Sequence, residues 1–79
     1  MFHILVVDDD KNTRKLIEAV LRRENFTVST SENGKDALEK LDGEHIDLVV
    51  LDVMMPEMDG YEFTKTLRES ENDIPILMV

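Results

Sequence analysis

Cysteine and tryptophan are absent from this 79-residue sequence, and glycine, proline and aromatic residues are few. Without cysteine the chain has no disulfide, no thiolate metal ligand and no cysteine nucleophile. No apolar run approaches the roughly 20 residues that a membrane span needs, and the N-terminus lacks the basic-then-apolar layout of a signal peptide. We therefore expect a cytoplasmic location and no membrane partner.

Basic residues are also scarce, with 9 Lys and Arg against 18 Asp and Glu and a net charge of -9. Because binding to nucleic-acid phosphates needs a basic face, we expect no direct nucleic-acid binding by this segment. The hydrophobic content of 42% is nevertheless sufficient for a folded chain. A chain of this length forms one domain with a marginal core.

Three short, unbroken apolar runs indicate strands that are covered on both faces, as in a parallel sheet. They are residues 4–7, 48–51 and 76–79. Residues 26–30 alternate instead, which is typical of a half-covered or edge strand. Apolar residues continue to the last position of the chain. Because an unpaired apolar strand edge invites aggregation, we expect residues 1–79 to be the N-terminal part of a larger single domain.

Helical periodicity fills the segments between these strands. It predicts helices over residues 12–23, 34–41 and 61–69, with Asp10 or Asn12 as the first N-cap and Asp59 as the third. The first helix has one apolar stripe, formed by Leu16, Ile17, Val20 and Leu21. The resulting order, β-α-β-α-β-α-β, predicts an α/β fold with a parallel sheet and helices on both faces.

Aspartates follow two of the predicted buried strands directly. Asp8, Asp9 and Asp10 follow the first, and Asp52 follows the third. Ligands of doubly wound sheets bind beyond the carboxyl ends of the strands, where the strand order reverses. If the first and third strands are neighbours, Asp8, Asp9 and Asp52 converge there. Carboxylates so close repel unless a cation intervenes, and Mg²⁺ prefers such oxygen ligands.

The pattern alone leaves two interpretations of these aspartates open. Aspartates after strands are often only helix caps and turn formers, and we interpret Asp10 in this way. Alternatively, a carboxylate beside Mg²⁺ can attack phosphorus and form an aspartyl phosphate. We interpret Lys11 and Arg14 as exposed charges at a helix start, and His3 and His45 as polar edge residues rather than ligands.

The segment after Asp52 is a connection between strand and helix that Pro56 stiffens. A rigid loop there would hold the backbone carbonyl of Met54 towards a cation. We interpret the side chains of Met55 and Met58 as apolar packing groups.

Together these residues resemble the receiver domain of two-component response regulators over the whole chain. The resemblance rests on Asp8-Asp9 after the first strand and on the pattern strand-Asp-x-x-Met-Pro-x-x-Asp-Gly, which ends at Gly60. Residues 33–38 are also similar to the opening of the family's second helix. The resemblance implies a flavodoxin-like doubly wound parallel sheet of order 2-1-3-4, without the fifth strand and the last two helices.

The resemblance also implies roles for individual residues. Asp52 would accept a phosphoryl group from a sensor histidine kinase, Asp9 would bind Mg²⁺ directly, and Asp8 would bind it directly or through water. The backbone carbonyl of Met54 would complete the protein's metal ligands. The family's Ser or Thr after strand four and Lys after strand five lie beyond Val79. Such a domain is a phosphorelay switch rather than an enzyme, and its parent would regulate transcription through a DNA-binding effector domain.

Two other functions remain as alternatives. The first is a receiver-fold fragment that is not phosphorylated and serves as an interaction or dimerisation module, through the edge of strand four or the side of helix one. The second is a Mg²⁺-dependent phosphatase acting on outside substrates. It is disfavoured because no Asp lies two residues after Asp52 to protonate a leaving group.

Overall fold

The computed structural model describes residues 2–52, 60–69 and 72–79. Strands and helices alternate through these residues as the sequence predicts. In chain order they are β1 (His3–Val7), α1 (Lys11–Arg23), β2 (Thr27–Ser31), α2 (Gly34–Gly43), β3 (Leu48–Leu51), α3 (Gly60–Glu69) and β4 (Ile76–Met78). Within these residues, no helix combines the length and the apolarity that crossing a bilayer requires.

The four strands form one parallel sheet in the order β2-β1-β3-β4, which confirms the predicted order. β1 lies between β2 and β3, and its last residue, Val7, lies opposite Ser31 and Leu51. The ends of these strands are therefore level. The amide of Asp52 continues the ladder by donating to the Val7 carbonyl over 3.0 Å. This register brings the residues that follow β1 and β3 to one edge of the sheet.

The core consists of two clusters, one on each face of the sheet. Alternate residues of β1 divide between them, with Leu5 and Val7 in one cluster and Ile4 and Val6 in the other. The first cluster includes residues of α2 and α3, chiefly Ala37, Phe63 and Leu67. The second includes Val28 and Val50, with Ile17 and Leu21 of α1 packed against it. Covering on both faces explains why the β1 and β3 sequences are continuously apolar.

Helices α1 and α2 each begin at a side-chain cap. Asp10 caps α1, since its carboxylate accepts hydrogen bonds from the Asn12 amide over 3.3 Å and from the Thr13 hydroxyl over 2.5 Å. Asn33 caps α2 in the same way, accepting from the Asp36 amide over 2.8 Å. These caps confirm Asp10 as the N-cap, and α1 begins one residue before the predicted boundary. The predicted third cap, Asp59, lies outside the described residues.

The C-terminus of α1 ends in a tight turn that shifts the next strand. Asn25 has a φ of 68°, in the left-handed region. The amide of Phe26 donates to the Leu21 carbonyl over 3.2 Å, and that of Asn25 to the Arg22 carbonyl over 3.0 Å. This pairing is a Schellman motif. Because Phe26 belongs to the turn, β2 begins at Thr27, one residue later than predicted, and extends to Ser31.

The apolar stripe of α1 divides into two rows. Ile17 and Leu21 pack against the core, whereas Leu16 and Val20 leave 65% and 48% of their surface exposed. Residues four apart lie nearly above one another on a helix, so Leu16 and Val20 form one row and Ile17 and Leu21 form the next. The two rows therefore face different directions around the helix axis. Leu16 and Val20 therefore form an exposed apolar row on α1.

Candidate functional site

Three carboxylates meet at the edge where β1 and β3 end. Asp8, Asp9 and Asp52 each place a carboxylate oxygen within 4.8 Å of those of the other two. Asp8 is buried, Asp52 is partly buried and Asp9 is exposed. The convergence that the sequence predicted from neighbouring strands is therefore present in the structure.

The backbone of Asp8 is held from two sides. Its amide donates to the Ser31 carbonyl of β2 over 3.1 Å. Its carbonyl accepts a hydrogen bond of 2.7 Å from Nη1 of Arg14. Its carboxylate Oδ1 also accepts the amide of Asp10 over 2.9 Å. Asp8 is therefore fixed by β2, by α1 and by the turn that follows it.

The environment of Asp8 disfavours its negative charge. Burial is the largest cause that raises its pKa, and the nearby charges of Asp52 and Asp9 raise it further. The hydrogen bond from the Asp10 amide lowers the same pKa but does not cancel these effects. Ionising Asp8 in the folded chain therefore costs free energy, and a cation bound among the three carboxylates would offset that cost.

This donor set fits a hard divalent cation. Mg²⁺ takes oxygen ligands in octahedral geometry and keeps several waters, so one or two protein carboxylates at an accessible edge suffice. The exposed Asp9 leaves room for such waters. The predicted fourth contributor, the Met54 carbonyl, lies outside the described residues, as do Met55, Pro56 and Met58.

Asp10 does not belong to the cluster. Hydrogen bonds from the Thr13 side chain and the Asn12 amide are the largest causes that lower its pKa, and both partners lie in the first turn of α1. The interpretation of Asp10 as a capping residue is therefore confirmed.

Arg14 and Ser31 support the site and were not predicted to do so. Arg14 was interpreted as an exposed charge, but it is half-buried and donates to the Asp8 carbonyl. A signal was available, because Arg14 lies one turn into the helix and helical side chains point back towards the N-terminus. Ser31 acts through its backbone carbonyl, which no feature of its side chain could indicate.

The two histidines lie at the opposite end of the sheet. Nε2 of His3 lies 2.7 Å from the Ser29 hydroxyl, and Nε2 of His45 lies 3.0 Å from Oδ1 of Asp47. Asp47 also accepts the amide of His3 over 2.8 Å. These contacts join β1, β2 and the residues just before β3.

Comparison with known proteins decides the family. The family model of the response regulator receiver domain matches residues 4–79. The chain belongs to the response regulator receiver family. Receiver domains bind Mg²⁺ at an acidic pocket and work as phosphorelay switches rather than as enzymes of the usual kind. Asp8, Asp9 and Asp52 form an acidic cluster of the kind at which receiver domains bind Mg²⁺.

Two curated relatives of this receiver domain are named as transcriptional regulators. It is 45% identical over 76 residues to the alkaline phosphatase synthesis transcriptional regulatory protein PhoP of Bacillus subtilis, covering 96% of this chain and 32% of PhoP. It is 46% identical over 77 residues to the probable transcriptional regulator ycf27 of Cyanidium caldarium, covering 98% of this chain and 30% of that protein. The chain thus spans about a third of the length of these relatives.

Solved receiver structures share the fold. The response regulator TrrA from Thermotoga maritima, solved in complex with Mg²⁺-BeF, aligns with a TM-score of 0.92 at 40% identity, covering 99% of this chain and 68% of TrrA. The Vibrio cholerae chemotaxis protein CheY4 aligns with a TM-score of 0.93 at 35% identity, covering 99% and 67%. The predicted flavodoxin-like doubly wound sheet is therefore confirmed over the four strands that the structure describes.

Proposed function

We propose that this receiver domain accepts a phosphoryl group on Asp52 from a sensor histidine kinase, in a reaction that requires Mg²⁺. The observation that supports this assignment is the approach of the Asp8, Asp9 and Asp52 carboxylates to within 4.8 Å. Asp52 follows β3, while Asp8 and Asp9 follow β1, so one carboxylate can react while the other two hold the cation.

The chemistry follows from these positions. A carboxylate oxygen of Asp52 attacks phosphorus as the bond to the donor breaks, and the electron pair of that bond leaves with the donor nitrogen. In this proposal Asp9 would hold Mg²⁺ directly, Asp8 would hold it directly or through water, and the Met54 carbonyl would be a further ligand. Mg²⁺ held by these residues would supply positive charge to offset the negative charge on the transferring oxygens.

The experiment is phosphorylation by a small-molecule donor such as acetyl phosphate with Mg²⁺, followed by intact mass measurement. One phosphoryl group should be added to the parent chain. Asp52→Asn should abolish the addition, because an amide is a poor nucleophile. The matched control is Asp10→Asn, which removes the same charge from a capping residue and should be labelled. Labelling of Asp52→Asn at the parental rate would refute the assignment.

The parent protein is part of the same proposal. PhoP and ycf27 are named as transcriptional regulators, and this chain matches about a third of each. We infer that the switch controls a DNA-binding effector domain in the cytoplasm. The coding sequence after the codon for Val79 tests this inference directly. A second domain with a DNA-binding fold is expected there, and an enzymatic output domain would contradict it.

Self-association is a second candidate function, and the exposed apolar residues of β4 and of Val79 after it favour this function. Leu77, Met78 and Val79 leave 54%, 37% and 63% of their surface exposed. Among the described strands, β4 pairs only with β3 and so has a second edge to offer. We propose that the 79-residue polypeptide forms a two-fold dimer through this edge or through the exposed side of α1.

Sedimentation of the polypeptide tests the dimer. Leu77→Lys should shift the sample to monomer if β4 forms the interface, and Leu16→Lys should do so if α1 does. A cooperatively folded parent chain that sediments only as a monomer would contradict self-association. Such a monomer, if it still accepts a phosphoryl group, would leave the switch as its function.

A further inference from the structure

Arg14 contacts the end of β1 that holds the acidic cluster. It lies in the first turns of α1, is half-buried, and directs Nη1 to the carbonyl of Asp8 over 2.7 Å. The recipient is a backbone oxygen, so this contact neutralises no carboxylate. The contact therefore acts on the position of the backbone that it holds.

That backbone links two of the three acidic residues. The Asp8 carbonyl belongs to the peptide group that joins Asp8 to Asp9, and a peptide group is planar. The preceding amide of Asp8 is already fixed to Ser31 over 3.1 Å. Holding the carbonyl as well fixes the plane of the next peptide, and with it the direction in which the exposed Asp9 side chain leaves the backbone.

The positive charge of Arg14 and its hold on the backbone should affect Mg²⁺ binding in opposite directions. Its guanidinium lies at the Asp8 carbonyl, on the residue that begins the acidic cluster. As a point charge near the cluster it would repel Mg²⁺, so its removal should strengthen Mg²⁺ binding. A positional role predicts that its removal weakens binding. The two effects therefore differ in sign.

We propose that Arg14 is a positioning residue for the magnesium site, acting through the Asp8 carbonyl to orient Asp8 and Asp9. This inference rests on the proposed function, because it assumes that Asp8, Asp9 and Asp52 bind Mg²⁺. It adds a residue on α1 to a site whose carboxylates all follow strands. Partners that orient metal ligands from outside commonly change metal affinity by about 10- to 100-fold.

The experiment is a Mg²⁺ titration of the full chain by calorimetry, comparing the parent with Arg14→Met and Arg14→Lys. Arg14→Met should bind Mg²⁺ about tenfold more weakly. This value is the lower end of the range that is usual when a group orienting a metal ligand is removed. Arg14→Lys keeps the charge but not the planar donor geometry, and should bind several-fold more weakly. The NMR chemical shift of the Asp9 backbone amide, measured without Mg²⁺, should also change in both variants.

Arg22→Met is the matched control. Arg22 lies on the same helix, and its Nη2 donates to the Val28 carbonyl of β2 over 3.0 Å. This variant therefore also loses one positive charge and one bond from arginine to a strand carbonyl, away from the cluster, together with the ion pair of Arg22 and Glu18. It should bind Mg²⁺ like the parent and leave the Asp9 amide shift unchanged.

The outcomes separate the two proposals. Binding by Arg14→Met that equals or exceeds parental binding would overturn the role of Arg14 and leave the magnesium site intact. Failure of the parent to bind Mg²⁺ would overturn the proposed function, and this inference with it. If Arg14→Met loses its thermal transition, Arg14→Lys decides, and parental affinity in that variant would overturn the inference.

Discussion

Three consecutive aspartates have three different environments in this chain. Asp8 is buried at the end of β1, with its carboxylate beside those of Asp52 and Asp9. Asp9 is exposed beside the same cluster, and Asp10 turns away to cap α1. Identical side chains thus differ in role because the backbone leaves the strand, turns and enters the helix within three residues. Substitutions at these positions should therefore separate metal binding from stability.

Asp9→Ala and Asp10→Ala should have opposite profiles. Asp9→Ala removes a cluster carboxylate, so we expect a large loss of Mg²⁺ affinity with little change in the free energy of unfolding. Asp10→Ala removes the N-cap, so it should lower the free energy of unfolding, and it should leave Mg²⁺ affinity nearly unchanged. Calorimetric titration and urea unfolding of both variants check this. Equal losses of affinity would show that Asp9 is not a preferred ligand.

At the scale of elements, the sequence predicted every strand and helix of the described residues but not all of their ends. α2 continues to Gly43, although the prediction ended it at Leu41. Periodicity locates the body of an element, whereas its end depends on cap and turn hydrogen bonds that involve only a few atoms. The same limit applies to α1, where spacing identified the stripe but not which of its two rows faces the sheet.

The turn after α1 offers a test at this scale. Asn25 has a φ of 68°, a conformation that costs most residues about 1–2 kcal/mol but carries no steric penalty for glycine. Asn25→Gly should therefore be neutral or slightly stabilising, while Asn25→Ala should lower the free energy of unfolding by about 1 kcal/mol. Urea unfolding of the two variants measures the difference. Equal stability of both would contradict a left-handed residue at this position.

At the scale of the whole molecule, those features of the site that depend only on strand order could be predicted from the sequence. The convergence of Asp8 and Asp52 followed from placing β1 beside β3, which the alternation of elements and the family resemblance both indicated. The supporting bonds from Arg14 and Ser31 to the Asp8 backbone could not be predicted, since they depend on the distance between α1, β2 and one carbonyl. Patterns of residue type do not contain such distances.

Asp47, at the end of the sheet opposite the acidic cluster, should make the stability of the fold depend on pH in acid. The hydrogen bond from the His3 amide is the largest cause that lowers the pKa of Asp47, and the bond from His45 adds to it. A lowered pKa in the folded chain means that ionised Asp47 stabilises the fold above the ordinary pKa of Asp, near 3.9. This stabilisation is lost as the pH falls through the lowered value.

Asp47→Asn should therefore be less stable than the parent at neutral pH, and the difference should close in strong acid. Thermal unfolding from pH 7 to about pH 2 measures this trend. Asp42→Asn is the control for net charge, since it removes the same charge from an exposed residue of α2. A difference between Asp47→Asn and the parent that stays constant with pH would contradict the assignment.

The central place of β1 has a consequence for the order in which the chain is made. Translation produces β1 first, but both of its neighbours, β2 and β3, come later in the chain. Until Leu51 has left the ribosome, the apolar residues of β1 lack half of their pairing. Such non-local pairing slows folding, because loops must close before contacts form. The nascent chain should therefore depend on protection from aggregation until its third strand emerges.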